Sequence, residues 1–366
     1  VRLAVEAGDT AGLRELAEYY VTHTPAEVAE IIRWLVSAAY GTEVAPRLRA
    51  GPLESFIEQS LRRVVTEGTS FGLGLDDAER AIATLLQRSA SGAERERTLM
   101  LQREFLLNRG RPGEALRVMR ELITGSGSPA FRQERLREMV YYALYWDGDE
   151  EAGRRAADEL DQTAAQPLSA DTTELAEQLR ARCVVEQWRL AHQDRRAVRR
   201  SIEVLRATAE SMGSRREAAR TRACAVLLEA MLYSSERHPV VLSVLDRLDS
   251  LHVAALPDLR NEDVWVCAGN LVAGLLRAAH GDLPGALAAI HRHGEPGDQK
   301  ILLSTYLREE GRLAALAGDT GSAVRAYRQF LALRSQPEPR LASDRARVRA
   351  ELDGLIRQAA PDRTKR

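Results

Sequence analysis

Two groups of side chains in this sequence could do chemistry, and in both cases the chemistry is recognition rather than bond making. The run Tyr141-Tyr142-Ala143-Leu144-Tyr145-Trp146 places four aromatics on adjoining faces at one end of a helix-length segment. Such a run either packs a core or anchors a partner, because Tyr and Trp dominate binding hot spots. The second group is Trp188 and Arg189 followed by Arg195, Arg196, Arg199 and Arg200, which on a helix make a local basic patch. That patch reads as a solvated face, then as a dock for an acidic protein, with nucleic acid a distant third. The candidate partner-binding residues are therefore Tyr141, Tyr142, Tyr145, Trp146, Trp188, Arg189, Arg196 and Arg200.

Bond-making chemistry finds little footing. Of His23, His192, His238, His252, His280, His291 and His293, only the last two are close, and a two-residue offset turns them to different faces of a helix. Neither HExxH nor CxxC occurs, so no metal site is expected. Gly68, Gly72 and Gly74 resemble a phosphate-binding loop only in glycine content. Leu75-Asp76-Asp77 stands where such a loop needs lysine and a hydroxyl, and two carboxylates repel phosphate; the segment reads as a turn. Glu309 and Glu310 point ~100° apart on a helix, which suits surface charge or a neighbour's ion pair better than an acid/base couple. Cys183, Cys224 and Cys267 recur at about the length of one helical repeat, each in an apolar pattern. They read as small residues filling helix crossings, with no disulfide expected. No catalytic residue and no cofactor follow from these patterns.

The whole-chain numbers agree with that reading. The chain has 366 residues, 45% hydrophobic and 29% charged, with a net charge of −1, so no overall field draws it to nucleic acid or an anionic membrane. Lysine occurs only at Lys300 and Lys365, an arginine bias that fits genome composition better than phosphate binding. No apolar run approaches the ~20 residues that span a bilayer. The sequence opens at Val1 without a leader pattern and reads as a possible segment of a longer protein. Its compartment stays open: cytoplasmic, or extracytoplasmic if a membrane span precedes it.

The elements that position these groups are legible from turn chemistry. Gly8-Asp9, Gly148-Asp149, Gly281-Asp282 and Gly318-Asp319, with related turns at Asn108-Arg109-Gly110 and Gln193-Asp194, recur after helix-length apolar segments. Glycine there supplies the left-handed residue that ends one helix, and aspartate caps the next. Thr24 with Glu27, Asp76 with Glu79, Asp171 with Glu174, and Ser214 with Glu217 have capping-box spacing. The expected helices are 10–21, 25–38, 52–66, 76–88, 92–108, 112–123, 129–146, 149–161, 171–192, 194–209, 214–234, 239–250, 262–279, 283–292, 299–317, 320–333 and 340–358. No alternating strand pattern competes with them, so an all-α fold is expected. The last helix, apolar at Val348, Leu352, Leu355 and Ile356, suits a cap over the final pair.

The segment from Tyr306 to Pro339 resembles one complete tetratricopeptide repeat: Gly311, Gly318, Ala323, Tyr327 and Phe330 fall where that repeat needs small residues at crossings and aromatics between them. The segments CVVEQWRLAH (183–192), ALYWDGDEEAG (143–153), LNRGRPGEAL (107–116) and LGLDDAERA (73–81) extend the likeness. Together they resemble the C-terminal tetratricopeptide-type region of large bacterial serine/threonine protein kinases and related signalling proteins. Pairing the expected helices in succession gives about eight pairs, and the resemblance implies that they stack as a right-handed α-α superhelix. It divides as divergent repeats over 1–95, repeats over 96–336, and a capping helix with basic tail over 337–366. It also implies a scaffold or sensor segment that binds a protein or peptide in a groove lined by the first helix of each pair. A small-molecule sensor whose repeats repack on ligand binding is the alternative. The kinase motifs themselves are absent, so no catalytic residue carries over.

Overall fold

A computed structural model describes residues 10–41, 48–125, 128–146, 148–255, 264–292 and 302–359. Among them the regular structure is entirely helical. Seventeen α-helices follow in order: α1 (Thr10–His23), α2 (Ala26–Tyr40), α3 (Glu58–Phe71), α4 (Leu75–Arg88), α5 (Gly92–Asn108), α6 (Pro112–Gly125), α7 (Pro129–Tyr145), α8 (Glu150–Ala164), α9 (Thr172–Ala191), α10 (Val198–Ser211), α11 (Arg215–Ser235), α12 (Val241–Ala255), α13 (Val264–Ala279), α14 (Leu283–Ile290), α15 (Leu303–Leu316), α16 (Thr320–Leu333) and α17 (Ala342–Ala359).

The turn chemistry operates largely as the sequence reads. Asp149, Asp282 and Asp319 each accept a backbone N–H three residues on, from Ala152, Gly285 and Ser322. Gly110, Gly281 and Gly318 take left-handed φ of 74°, 82° and 81°. Asp171 and Ser214 cap α9 and α11. The Gly8-Asp9 turn lies outside the described residues.

Four local expectations need correction. Thr24 does not cap α2; its hydroxyl donates back to the Tyr20 carbonyl, and Pro25 holds the cap position without a side-chain bond. Asp76 lies inside the first turn of α4, whose cap position is Gly74. The expected 52–66 helix is a single 3-10 turn at Leu53–Ser55, broken where Phe56 turns into the core, and α3 then runs on to Phe71. Helix α10 starts at Val198 rather than residue 194, because the Asp194 carboxylate bonds the Arg196 N–H within a tight turn.

Neighbouring helices pack as pairs, and alternate helices α7, α9, α11 and α13 stand side by side. Close crossings depend on missing side chains. A Cβ on Gly311 of α15 would lie 2.3 Å from the Tyr327 ring of α16, and one on Gly153 of α8 would lie 2.3 Å from the Ala143 side chain. A larger residue at either position forces the pair apart.

The chain also returns on itself. One apolar core joins Leu99, Met119, Tyr141, Trp146 and Val184 to Leu271, Ile290 and Tyr306. A second joins Trp34, Leu61, Val64 and Ile82 to Leu307, Tyr327, Phe330 and Leu352. Helices α15–α17 therefore share cores with α2–α5. The seam is polar: Asn108 Oδ1 accepts the Ser304 N–H at 2.9 Å, Arg109 Nη1 donates to Ser335 Oγ at 2.7 Å, and the Glu338 N–H donates to the Gly110 carbonyl at 2.8 Å. The Glu338 carboxylate accepts the Gly113 N–H at 2.7 Å, capping α6 from the far end of the chain. On α17, Val348 and Leu352 are buried and Ile356 is exposed.

Candidate partner-binding surface

The aromatic run at the end of α7 is packed inward. Tyr141, Tyr142 and Trp146 are at most 4% exposed. The Tyr142 and Trp146 rings meet edge-on at 5.0 Å, and Tyr141 stacks on Tyr145 at 6.0 Å. Tyr145 is half-buried; its hydroxyl donates to Gln187 Oε1 at 3.1 Å, while Gln187 Nε2 donates to the Tyr141 hydroxyl at 3.4 Å. Burial pushes the Tyr142 and Tyr145 hydroxyls above the ordinary phenol range. The Thr305 hydroxyl, in the first turn of α15, donates to the Tyr145 carbonyl at 3.4 Å, so the returning chain closes this region over. Tyr141, Tyr142 and Trp146 thus offer no surface to a partner in this fold; they join α7 to α9 and α15.

Beside them lies an ionic cluster that the sequence did not advertise. Arg103 Nη1 meets Glu138 Oε2 at 2.5 Å and Arg135 Nη1 meets Glu138 Oε1 at 3.0 Å, all three side chains being buried. Arg135 also reaches Glu134 at 2.5 Å and stacks over the Phe131 ring at 4.8 Å. Arginine and glutamate on helices read by default as surface residues, and no spacing marks these as interior.

The second sequence group divides. Trp188 is half-buried against Gly153, and its ring meets that of His192 at 4.1 Å, tilted by 34°. Arg189 is held by Glu186 at 2.9 Å and Asp161 at 2.8 Å. Arg195 donates to the Ser235 carbonyl at 3.2 Å, and Arg199 binds both oxygens of Glu236 at 2.7 and 2.8 Å. Arg196 and Arg200 are exposed, and among the described residues neither has an ion-pair partner. Helix α10 begins here without a side-chain cap and without an acidic residue in its first turn.

These contacts stitch four successive turns along one edge. His192 Nε2 approaches Glu150 at 3.4 Å, Arg195 and Arg199 reach the end of α11, and Ser234 Oγ meets His280 Nε2 at 3.0 Å. The turns after α7, α9, α11 and α13 are so joined in order.

The remaining candidates are structural. Cys183 of α9 and Cys224 of α11 form a disulfide, correcting the expectation of two separate thiols. Repeat-length spacing brings them together, since equivalent positions on alternate helices face each other. The side chain of Cys267 lies outside the described residues. Gly72 and Gly74 are left-handed turn residues, and Gly74 sits against Trp34, where a Cβ would fall 2.8 Å from the ring. Glu309 is buried between Arg308 and Arg312, and Glu310 pairs with His291 at 3.4 Å. His293 is outside the described residues. Among the described residues no three His, Cys, Asp or Glu side chains converge on a metal-sized site, and no helix is long and apolar enough to cross a membrane.

No protein-family model matches the chain, and no curated protein matches it.

Proposed function

We propose that this chain is a non-catalytic helical-repeat scaffold that binds a protein or peptide partner. In this reading it is a right-handed superhelix of about eight helix pairs, closed by α17 as a cap. Its setting is that of the signalling proteins whose repeat regions the sequence resembles, with the effector elsewhere.

The observation that carries this reading is the row of four stitched turns. A chain that repeats the same helix–turn–helix geometry presents its turns at one spacing along one edge. A binding partner can engage several of them without rearranging the backbone. Tyr141, Tyr142 and Trp146 are buried at the end of α7, whereas Arg196 and Arg200 on this row are exposed, which favours the row over the aromatic run as the partner surface.

The test uses the purified chain as bait, identifies retained proteins by mass spectrometry, and measures the recombinant partner by calorimetry. The expected result is saturable binding with amide-exchange protection on the turns after α7, α9, α11 and α13 and an unchanged helical circular-dichroism signal. Binding that leaves all four turns unprotected overturns the reading.

A further inference from the structure

The turns 192–197 and 236–240 share a backbone feature: each follows its helix with a left-handed residue that is not glycine. Where Gly110, Gly281 and Gly318 provide the left-handed residue that closes a helix, Gln193 and Arg237 adopt it at φ of 62° and 55°. A side chain in that conformation is disfavoured by roughly 1–2 kcal/mol relative to the right-handed form, and glycine would avoid the penalty. In the second turn the residue retained there is a cation.

The two turns touch each other through Arg195 on the Ser235 carbonyl and Arg199 on Glu236. The two joined turns and the first turn of α10 carry five exposed arginines, Arg195, Arg196, Arg199, Arg200 and Arg237, against the carboxylates of Asp194 and Glu236 and, one helical turn on, that of Glu203. Asp194 is already engaged with the Arg196 backbone and Glu236 with Arg199, and five cations face three carboxylates. The surplus is positive, although the whole chain carries a net charge of −1. A local cationic edge on a nearly neutral molecule selects partners by charge at short range, because at physiological salt the field fades within about 8 Å.

We propose that this edge is the docking surface for an acidic segment of a partner protein, a stretch of consecutive Asp and Glu carboxylates. Arg196 and Arg200 make the principal contacts and Arg237 extends them across the second turn. The proposal rests on the scaffold reading above and names the chemistry of its partner. Rim arginines of this kind set association rate and salt dependence, so the complex weakens as salt is raised.

The probe is a fluorescein-labelled deca-glutamate peptide, followed by anisotropy at low salt and at about 0.15 M salt. Arg196→Glu with Arg200→Glu should lower affinity about tenfold or more. Arg215→Glu with Arg216→Glu makes the same charge change at the other end of the 21-residue α11, about 30 Å away, and should leave affinity within about twofold. Arg237→Gly should weaken binding while holding or raising the thermal midpoint, an outcome that a purely structural role would not produce. Equal losses in both double variants would reduce the effect to net charge and overturn the proposal. So would an oligonucleotide or heparin fragment that competes through the same arginines with tighter binding. If the protein captured as partner binds the Arg196→Glu, Arg200→Glu variant as well as the wild type, this inference fails while the scaffold reading stands. If no partner binds at all, the scaffold reading itself fails.

Discussion

Glu138 is the residue on which the interior balance turns. It is the common ion-pair partner of Arg103 and Arg135, both as buried as itself. Burial alone would push the Arg103 guanidinium toward its neutral form, and the Glu138 carboxylate beside it holds the proton on instead. A buried pair adds little over an apolar substitute, but removing one partner leaves a charge in a medium that cannot solvate it. Glu138→Ala strands the buried Arg103 and leaves Arg135 only Glu134, and should destabilise the chain by about 3–5 kcal/mol, measured as a shift of the urea midpoint. Replacement of an exposed residue such as Glu203 should cost within about 0.5 kcal/mol. A small effect at Glu138 would mean that water reaches the cluster.

At the scale of elements, helix boundaries were the most legible feature because their causes are local. Asp282 and Asp319 could be read as caps from Gly-Asp pairs alone, and both accept the expected N–H. The failures were also local competitions: Thr24 found the Tyr20 carbonyl and Asp194 found a turn N–H before either could cap. The capping carboxylates carry a pH signature. Hydrogen bonds from Gly285 and then the Arg277 guanidinium hold Asp282 below its ordinary range, Ser322 does so for Asp319, and the backbone of Ser91 and Ala90 for Glu94. A carboxylate whose folded pKa is depressed contributes stability above its unfolded pKa, near 4, and loses it as pH falls through the folded value. Asp282→Asn should therefore differ from wild type most at neutral pH, and the gap in urea midpoint should close as pH drops below about 4. A constant gap would assign the effect to shape rather than charge.

The disulfide belongs to the same scale, because it joins two alternate helices. Read singly, Cys183 and Cys224 are small apolar residues; only the side-by-side stacking of α9 and α11 makes them partners. Closing a loop of 41 residues should stabilise the folded state by about 3–4 kcal/mol. Urea unfolding with and without reductant measures that difference. Thiol titration of the denatured, unreduced protein should find one of the three cysteines reactive. Three reactive thiols would show that the bond does not form.

At the scale of the molecule, the return of α15–α17 onto the first half of the chain had no signature in the sequence. The local features of Tyr306–Pro339 describe a helix pair, and α15 and α16 do pack as one. Its second packing partner depends on the sum of the turns between, which no residue encodes alone. The same closure explains why the aromatic run of α7 is interior: an open stack would have left Tyr141 and Trp146 facing a groove, whereas Tyr306 and Leu302 fill that space. The seam is held by caps given across the molecule, Glu338 to the start of α6 and Asn108 to the start of α15. Gly113 matters to the first, since a Cβ there would lie 2.9 Å from the Glu338 carboxylate. A lost helix cap costs ~1 kcal/mol, which corresponds to about a fivefold rise in local opening. Glu338→Ala should therefore speed amide exchange at Gly113 and Glu114 by about that factor while core amides of α9 and α11 stay unchanged. If exchange rises at Ser304 as well, the two caps open together and the seam behaves as one cooperative unit. If Gly113 alone responds, each cap acts on its own helix. Unaltered exchange at both sites would mean that the shared apolar cores hold the seam shut without them.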